Sequence, residues 1–278
     1  MRTPSPILGI YREQIFSPGK IQQDSAILDA TLSKLAQMGY ETYALRAETL
    51  DIVSPPGLVL SLAQSDRTLG ILGKLQEDGI PVINSVGSVR NCYRKNLIPL
   101  LQKNGLPIPE SRVISLDDLE RRGLSFDIFT TYWLKRGDVH AIQPEDVAKV
   151  KSANQVITAI KHFRRQGVQD VLVQEHVEGM VVKFYGVGAD EYFTAFSEST
   201  GEKIVSQVGA LSKIARLSAK AVGLEVYGGD AIFTPEGKVA LIDLNDWPSF
   251  SLCCEPAAEA IAGYTTRVIN GGLYGLSK

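Results

Sequence analysis

From residue 7 to 86 the chain alternates short apolar runs with segments of helical period. The runs "ILGIYRE", "ETYALRA", "GLVLSLA" and "PVINS" have the length of strands and lie between turn-forming residues. The helical segments cover about 21–38, closed by Gly39, and about 66–77. Strands alternating with helices predict a small α/β layer on a mostly parallel sheet, a domain over residues 1–90. A further helix is expected over about 88–104, stopped by Gly105 and by the two prolines of "LPIPES", which hold the chain extended. Pro99 should kink that helix or mark a late start.

Beyond residue 126 the pattern becomes strand-rich around one clear helix, 153–166, with Val156, Ile157, Ile160 and Phe163 on one face. The strands "DVLVQEHV", "VVKFYGVG" and "EYFTAFSE" follow, then a helix near 210–222, a long hairpin, and a last helix from about 256. These elements predict a second domain, 91–278, of α+β class with antiparallel strands and subdomains of about 91–178 and 179–278.

The hairpin carries the first chemical signal. Runs 228–234 and 239–245 flank "PEGK", a loop with Pro and Gly where a turn wants them. If Thr234 faces Val239, Asp230 lies directly across from Asp243, and Asn245, two residues further, shares that face. Opposed side chains have Cβ atoms about 4.5–5.5 Å apart. Two carboxylates that close repel by up to roughly 4 kcal/mol at an effective dielectric of 20, and a divalent cation removes the conflict. Asp230, Asp243 and Asn245 are few and hard, a set suited to Mg²⁺ held together with a nucleotide's phosphates and water.

Composition narrows the class. The 278 residues are 44% hydrophobic and 22% charged, as in ordinary soluble domains. Net charge is −2 with both signs interspersed, which excludes a basic field for nonspecific nucleic-acid binding. No segment approaches the roughly 20 apolar residues of a membrane span, and the apolar stretch at the N-terminus is shorter than a signal peptide's. Three cysteines, with Cys253 and Cys254 adjacent, give neither a disulfide framework nor a zinc-ligand spacing, so the expected location is a reducing cytoplasm.

The hairpin "GGDAIF…ALIDLNDWPSF" resembles the metal-binding end of the ATP-grasp fold, and other segments agree in order. "RKNLIPLLQKNGLPIPES" is similar to the superfamily's first helix and its proline exit, "YWLKRG" to its nucleotide-lysine strand, "VLVQEHVEG" to its adenine hinge, and "VVKFYGVG" to the strand that brings a basic side chain to the phosphates. The resemblance is to ligases of the ribosomal-protein glutamate ligase and glutathione synthetase kind. It implies antiparallel sheets enclosing ATP, with Lys95 and Lys135 near the phosphates and Gln174, Glu175, His176 and Val177 as the hinge. Glu178 would meet the ribose, Lys183 the phosphates, and Asp230, Asp243 and Asn245 would hold Mg²⁺. The implied reaction joins a small-molecule or peptide carboxylate to an amine through an acyl phosphate.

Some residues depart from the ligase pattern. The flap "LKRGDVHAIQPEDV" has Gly137 alone, the second metal carboxylate is Asp243 instead of glutamate, and Lys183 stands in place of arginine. These features are similar to the superfamily's inositol phosphate kinases, so an alternative is a small-molecule kinase acting on a hydroxyl. Arg136 and His140, following the nucleotide lysine, are candidates to touch a substrate anion. His162 is expected to be exposed, off the apolar face of its helix. The loop "SPGKIQ" matches a phosphate loop only superficially but suits the carboxyl edge of the sheet, and Cys253 and Cys254 read as partly buried structural residues.

Overall fold

The computed structural model describes residues 5–123, 131–139 and 143–271. Its first layer is β1 (Ile7–Tyr11), α1 (Ile21–Gln37), β2 (Thr42–Arg46), β3 (Leu58–Ser61), α2 (Asp66–Glu77) and β4 (Val82–Ile83). The strands are parallel in the order β2-β1-β3-β4. Burial on both faces explains why β3 reads as an unbroken apolar run. Ser65 starts α2 by accepting the Thr68 N–H with its side chain.

The helix expected over 88–104 is two helices, α3 (Val86–Asn91) and α4 (Arg94–Lys103). The break falls at Cys92-Tyr93 and not at Pro99, which stays inside α4 on its exposed side. Then come β5 (Ser111–Ser115), α5 (Leu116–Arg122), β6 (Tyr132–Arg136), β7 (Val147–Val150), α6 (Ala153–Arg165) and β8 (Asp170–Glu175). This sheet is antiparallel, ordered β5-β8-β6-β7. The buried face of α6 is Val156, Ala159, Ile160 and Phe163. Ile157 is 49% exposed, because it lies a 100° step from Val156, just off the stripe. His162 is also not free in solvent: its Nε2 lies 2.9 Å from Asp146 Oδ1.

The third sheet is built from β9 (Met180–Val187), β10 (Tyr192–Ser197), β11 (Val226–Phe233) and β12 (Val239–Asp246), in the antiparallel order β10-β9-β11-β12. Helix α7 (Val208–Val222) packs against it, and α8 (Cys254–Ile269) is the last helix among the described residues. One hydrophobic core joins Ile27, Leu28 and Leu60 of the first layer to Val187, Trp247, Ala258 and Ile261. The parallel layer therefore completes its core through α8, not alone. No described helix is long and apolar enough to cross a membrane.

Candidate functional site

The β11–β12 hairpin brings Asp230 and Asp243 directly opposite each other, but by another register than the turn implies. Near the turn Phe233, not Thr234, faces Val239; a bulge then leaves Ile242 unpaired and restores the Asp230–Asp243 pairing. Gly228 and Gly229 let the chains meet closely there. A Cβ on Gly228 would stand 2.7 Å from Phe184 O and from Pro248, and one on Gly229 would strike Asp243 O.

Each carboxylate has a cation. Lys183, across β11 on β9, places Nζ 2.9 Å from Asp230 Oδ1 and 3.1 Å from Glu198. Arg94, the first residue of α4 and 4% exposed, places Nη2 2.9 Å from Asp243 Oδ2. The repulsion expected between the two acids is thus already offset by side chains. Burial pushes the Asp230 carboxyl up, with Lys183 opposing. Burial also works against the Lys183 charge, yet Asp230 and Glu198 outweigh it and hold the ammonium above its usual range.

On the facing sheet, Lys135 is 6% exposed and donates to Gln174 Oε1 at 2.9 Å and to the carbonyl of the bulged Ile242 at 3.1 Å. Burial lowers its pKa to about 8, with Asp243 as the largest opposing influence. Gln174 is held in turn by Ser111 Oγ at 3.1 Å. Beyond it, Glu175 N–H donates to Glu110 O and His176 N–H to Thr131 O, at 2.8 and 2.9 Å. Trp133 Nε1, which can only donate, lies 3.1 Å from His176 Nδ1, and His176 Nε2 lies 3.0 Å from Lys149 Nζ and 2.9 Å from the exposed Glu178.

Two antiparallel sheets thus face each other across a lysine–carboxylate seam, behind a parallel layer. Compared with solved structures, the chain superposes on a RimK domain ATP-grasp protein from Sphaerobacter thermophilus with a TM-score of 0.70 at 18% identity, covering 94% of this chain and 99% of that one. The D-alanyl-alanine synthetase A of Vibrio cholerae gives 0.72 at 12%, covering 98% and 99%. The ATP-grasp ligase PsnB, solved with a minimal precursor, Mg and ADP, gives 0.64 at 18%, covering 94% and 98%. The chain has the ATP-grasp fold. No family model and no curated protein matches its sequence.

Within the ATP-grasp fold, several expected residues sit differently from their sequence reading. Lys95 points away from the hairpin: its Nζ is 3.6 Å from Asp170, while its backbone N–H donates to Gly137 O at 2.9 Å. Arg94, one residue earlier, is the side chain that enters. It lies three, four and seven residues before Leu97, Ile98 and Leu101, the buried face of α4, and that spacing was readable. Arg136 is not open to a substrate anion. Its Nε and Nη2 fork onto Asp138 at 2.8 and 2.9 Å, and Nη1 donates to the fully buried Asp146 at 3.0 Å. His140 lies outside the described residues.

A cavity of about 500 Å³ opens between the first layer and the hairpin, lined among others by Ser17, Lys20, Lys183, Asp230 and Asn245. Its wall is pinned by the Trp-Pro corner. Trp247, buried and at φ 38°, donates Nε1 to Ile83 O at 3.0 Å, and its own carbonyl accepts from Arg12 Nη2 at 2.7 Å. Ser17 donates to Asp24 at 2.7 Å, so the "SPGK" loop is held at the cavity's edge. Cys253 is buried and Cys254 partly buried, both thiols pushed up by burial, Cys253 to about 11.

The residues suit a hard cation. Among the described residues no group of three His, Cys, Asp or Glu surrounds one point. Two opposed carboxylates and an amide present hard oxygen atoms of the kind Mg²⁺ shares with water and phosphate; Asp230 engages Lys183 through one oxygen, and Asp243 accepts from Arg94 and from the Leu244 N–H.

Proposed function

We propose that this protein is an ATP- and Mg²⁺-dependent ligase that joins a carboxylic acid to an amine. The observation that carries the choice is how the cations of the cleft are engaged. Arg12 is held by Leu62 O, Asp24 and Trp247 O, and Lys183 by Asp230 and Glu198; Lys20 is the lining cation without a side-chain partner among the described residues. Arg136, a further cation considered for substrate, is closed off by Asp138 and Asp146. In that cavity one uncommitted ammonium suits a monocarboxylate better than the polyanionic substrate of an inositol phosphate kinase.

The ATP-grasp neighbours named as ligases and synthetases support the same reading. Val177 would offer its N–H to the adenine edge, since those of Glu175 and His176 are engaged and no partner for Val177 occurs among the described residues. Arg94, Lys135 and Lys183 would neutralise charge on the transferred phosphoryl group, with Asp230, Asp243 and Asn245 holding Mg²⁺, which supplies further charge neutralisation when bound. The acid's oxygen attacks the γ-phosphorus as ADP leaves; the amine nitrogen then displaces phosphate from the acyl carbon. Supplying ATP, Mg²⁺ and hydroxylamine with a panel of carboxylic acids should yield a hydroxamate and ADP. A product heavier by one phosphate on a hydroxyl, with no hydroxamate from any acid, would overturn the assignment.

A further inference from the structure

A second cavity, of about 460 Å³, adjoins the one at Asp230 and shares Phe16 and Gln64 with it; Tyr93 and Asp138 also line it. Gln64 is 2% exposed, and nearly every polar group it owns is fixed. Its N–H donates to Glu13 Oε2 at 2.9 Å, its carbonyl accepts from the Tyr93 hydroxyl at 3.2 Å, and its Nε2 donates to Asp246 Oδ1 at 3.2 Å. A carboxylate only accepts, so Asp246 fixes which way the amide faces: nitrogen to Asp246, oxygen away from it. Oε1 has no partner among the described residues and is not sealed from solvent.

Resting on the ligase reading above, we infer that this second cavity receives the amine substrate and that Gln64 Oε1 accepts a hydrogen bond from its nitrogen. A neutral acceptor suits the chemistry. A carboxylate in that place would favour the protonated ammonium, whose lone pair is unavailable, whereas an amide oxygen orients an N–H and leaves the lone pair toward the acyl carbon. In the step served, the nitrogen bonds to the acyl carbon, the bond from that carbon to the phosphate oxygen breaks, phosphate leaves with its electron pair, and the nitrogen's proton passes to solvent. Gln64 thereby becomes a specificity residue for the amine, separate from the Asp230–Asp243 seam.

The test uses hydroxylamine as the amine probe and, as acid, whichever member of a panel of L- and D-amino acids gives a hydroxamate with the unaltered enzyme. Gln64→Met keeps length and removes the acceptor. The KM for hydroxylamine should rise roughly tenfold, while kcat at saturating hydroxylamine stays within about threefold and the melting temperature holds. An unchanged KM, or kcat and melting temperature falling together, overturns the assignment. Should Gln64→Met fail to fold, Asp246→Asn answers the same question: it lets the Gln64 amide turn over, so the KM should rise roughly threefold, and no change overturns the proposal. Failure of the ligase reading is separate, since the unaltered enzyme would then give no hydroxamate at all.

Discussion

On β11 and β12, Asp230 and Asp243 face each other and draw their cations from distant elements, Lys183 on β9 and Arg94 on α4, each at 2.9 Å. On β6, Arg136 lies between two acids that come from its own neighbourhood, Asp138 and Asp146, and makes three hydrogen bonds to them. Both clusters gather charge in a confined space. The Arg136 cluster is closed: the guanidinium forks onto one carboxylate, reaches the other, and His162 completes the shell of Asp146. The hairpin cluster is more open: Asp230 and Asn245 line a cavity, and Asp230 is held by Lys183 through one oxygen, while Asp243 accepts from Arg94 on one oxygen and from the Leu244 N–H on the other. The two clusters differ less in density of charge than in how far their acids are already engaged.

Substitutions can break this contrast. The largest expected effect is from Asp243→Asn, which should lower ATP turnover at saturating Mg²⁺ by roughly 10²–10³, the usual cost of losing charge stabilisation at a transferring group. Opposed carboxylates with no other partner would make the metal-free variant more stable. With Arg94 buried against Asp243, the variant should instead melt lower, by about 3 kcal/mol, because it strands a buried cation. Normal turnover would remove Asp243 from the site. Next comes Arg136→Met, which leaves Asp138 and Asp146 without their cation and should cost about 3 kcal/mol in denaturant unfolding. If stability holds and only the KM for the acid changes, the cluster is open after all.

Lys135 sharpens the contrast through pH. Its folded pKa, about 8, lies below the unfolded value of 10.5, so between these values the unfolded chain holds more protons. Relative to Lys135→Met, the protein should therefore gain stability as pH rises through that window, on the order of 3 kcal/mol in total. Affinity for an ATP analogue should move the other way, weakening above pH 8 as the ammonium is lost, and Lys135→Met should abolish that step. A flat affinity profile would place Lys135 away from the phosphates. The smallest effect is expected from His162→Ala, about 1 kcal/mol for one hydrogen bond to Asp146, with turnover unchanged.

Much of this was legible in the sequence, and the failures have definite causes. The parallel layer and the antiparallel sheets follow from hydrophobic period and turn chemistry, which act locally; the opposed aspartates were expected from a turn register that the structure replaces with a bulge at Ile242. Arg94 was missed because the resemblance pointed to Lys95 as the phosphate lysine, and adjacent helical residues such as Arg94 and Lys95 point about 100° apart. Arg136 was misjudged because Asp146, its buried partner, lies beyond a loop whose path no local pattern encodes. Gln64 gave no signal. Its orientation depends on Asp246, 182 residues away in the chain.

The bulge at Ile242 bears on how the hairpin tolerates change. The extra residue has no partner of its own across the pair but brings Asp243 opposite Asp230, and its main-chain oxygen is one of the two acceptors that hold Lys135. Every amino acid at position 242 carries the same carbonyl. Point mutation there can alter packing but cannot delete the oxygen; only loss of the codon can. One anchor of the buried lysine is thus written into the length of the chain, where single-base substitutions have little purchase.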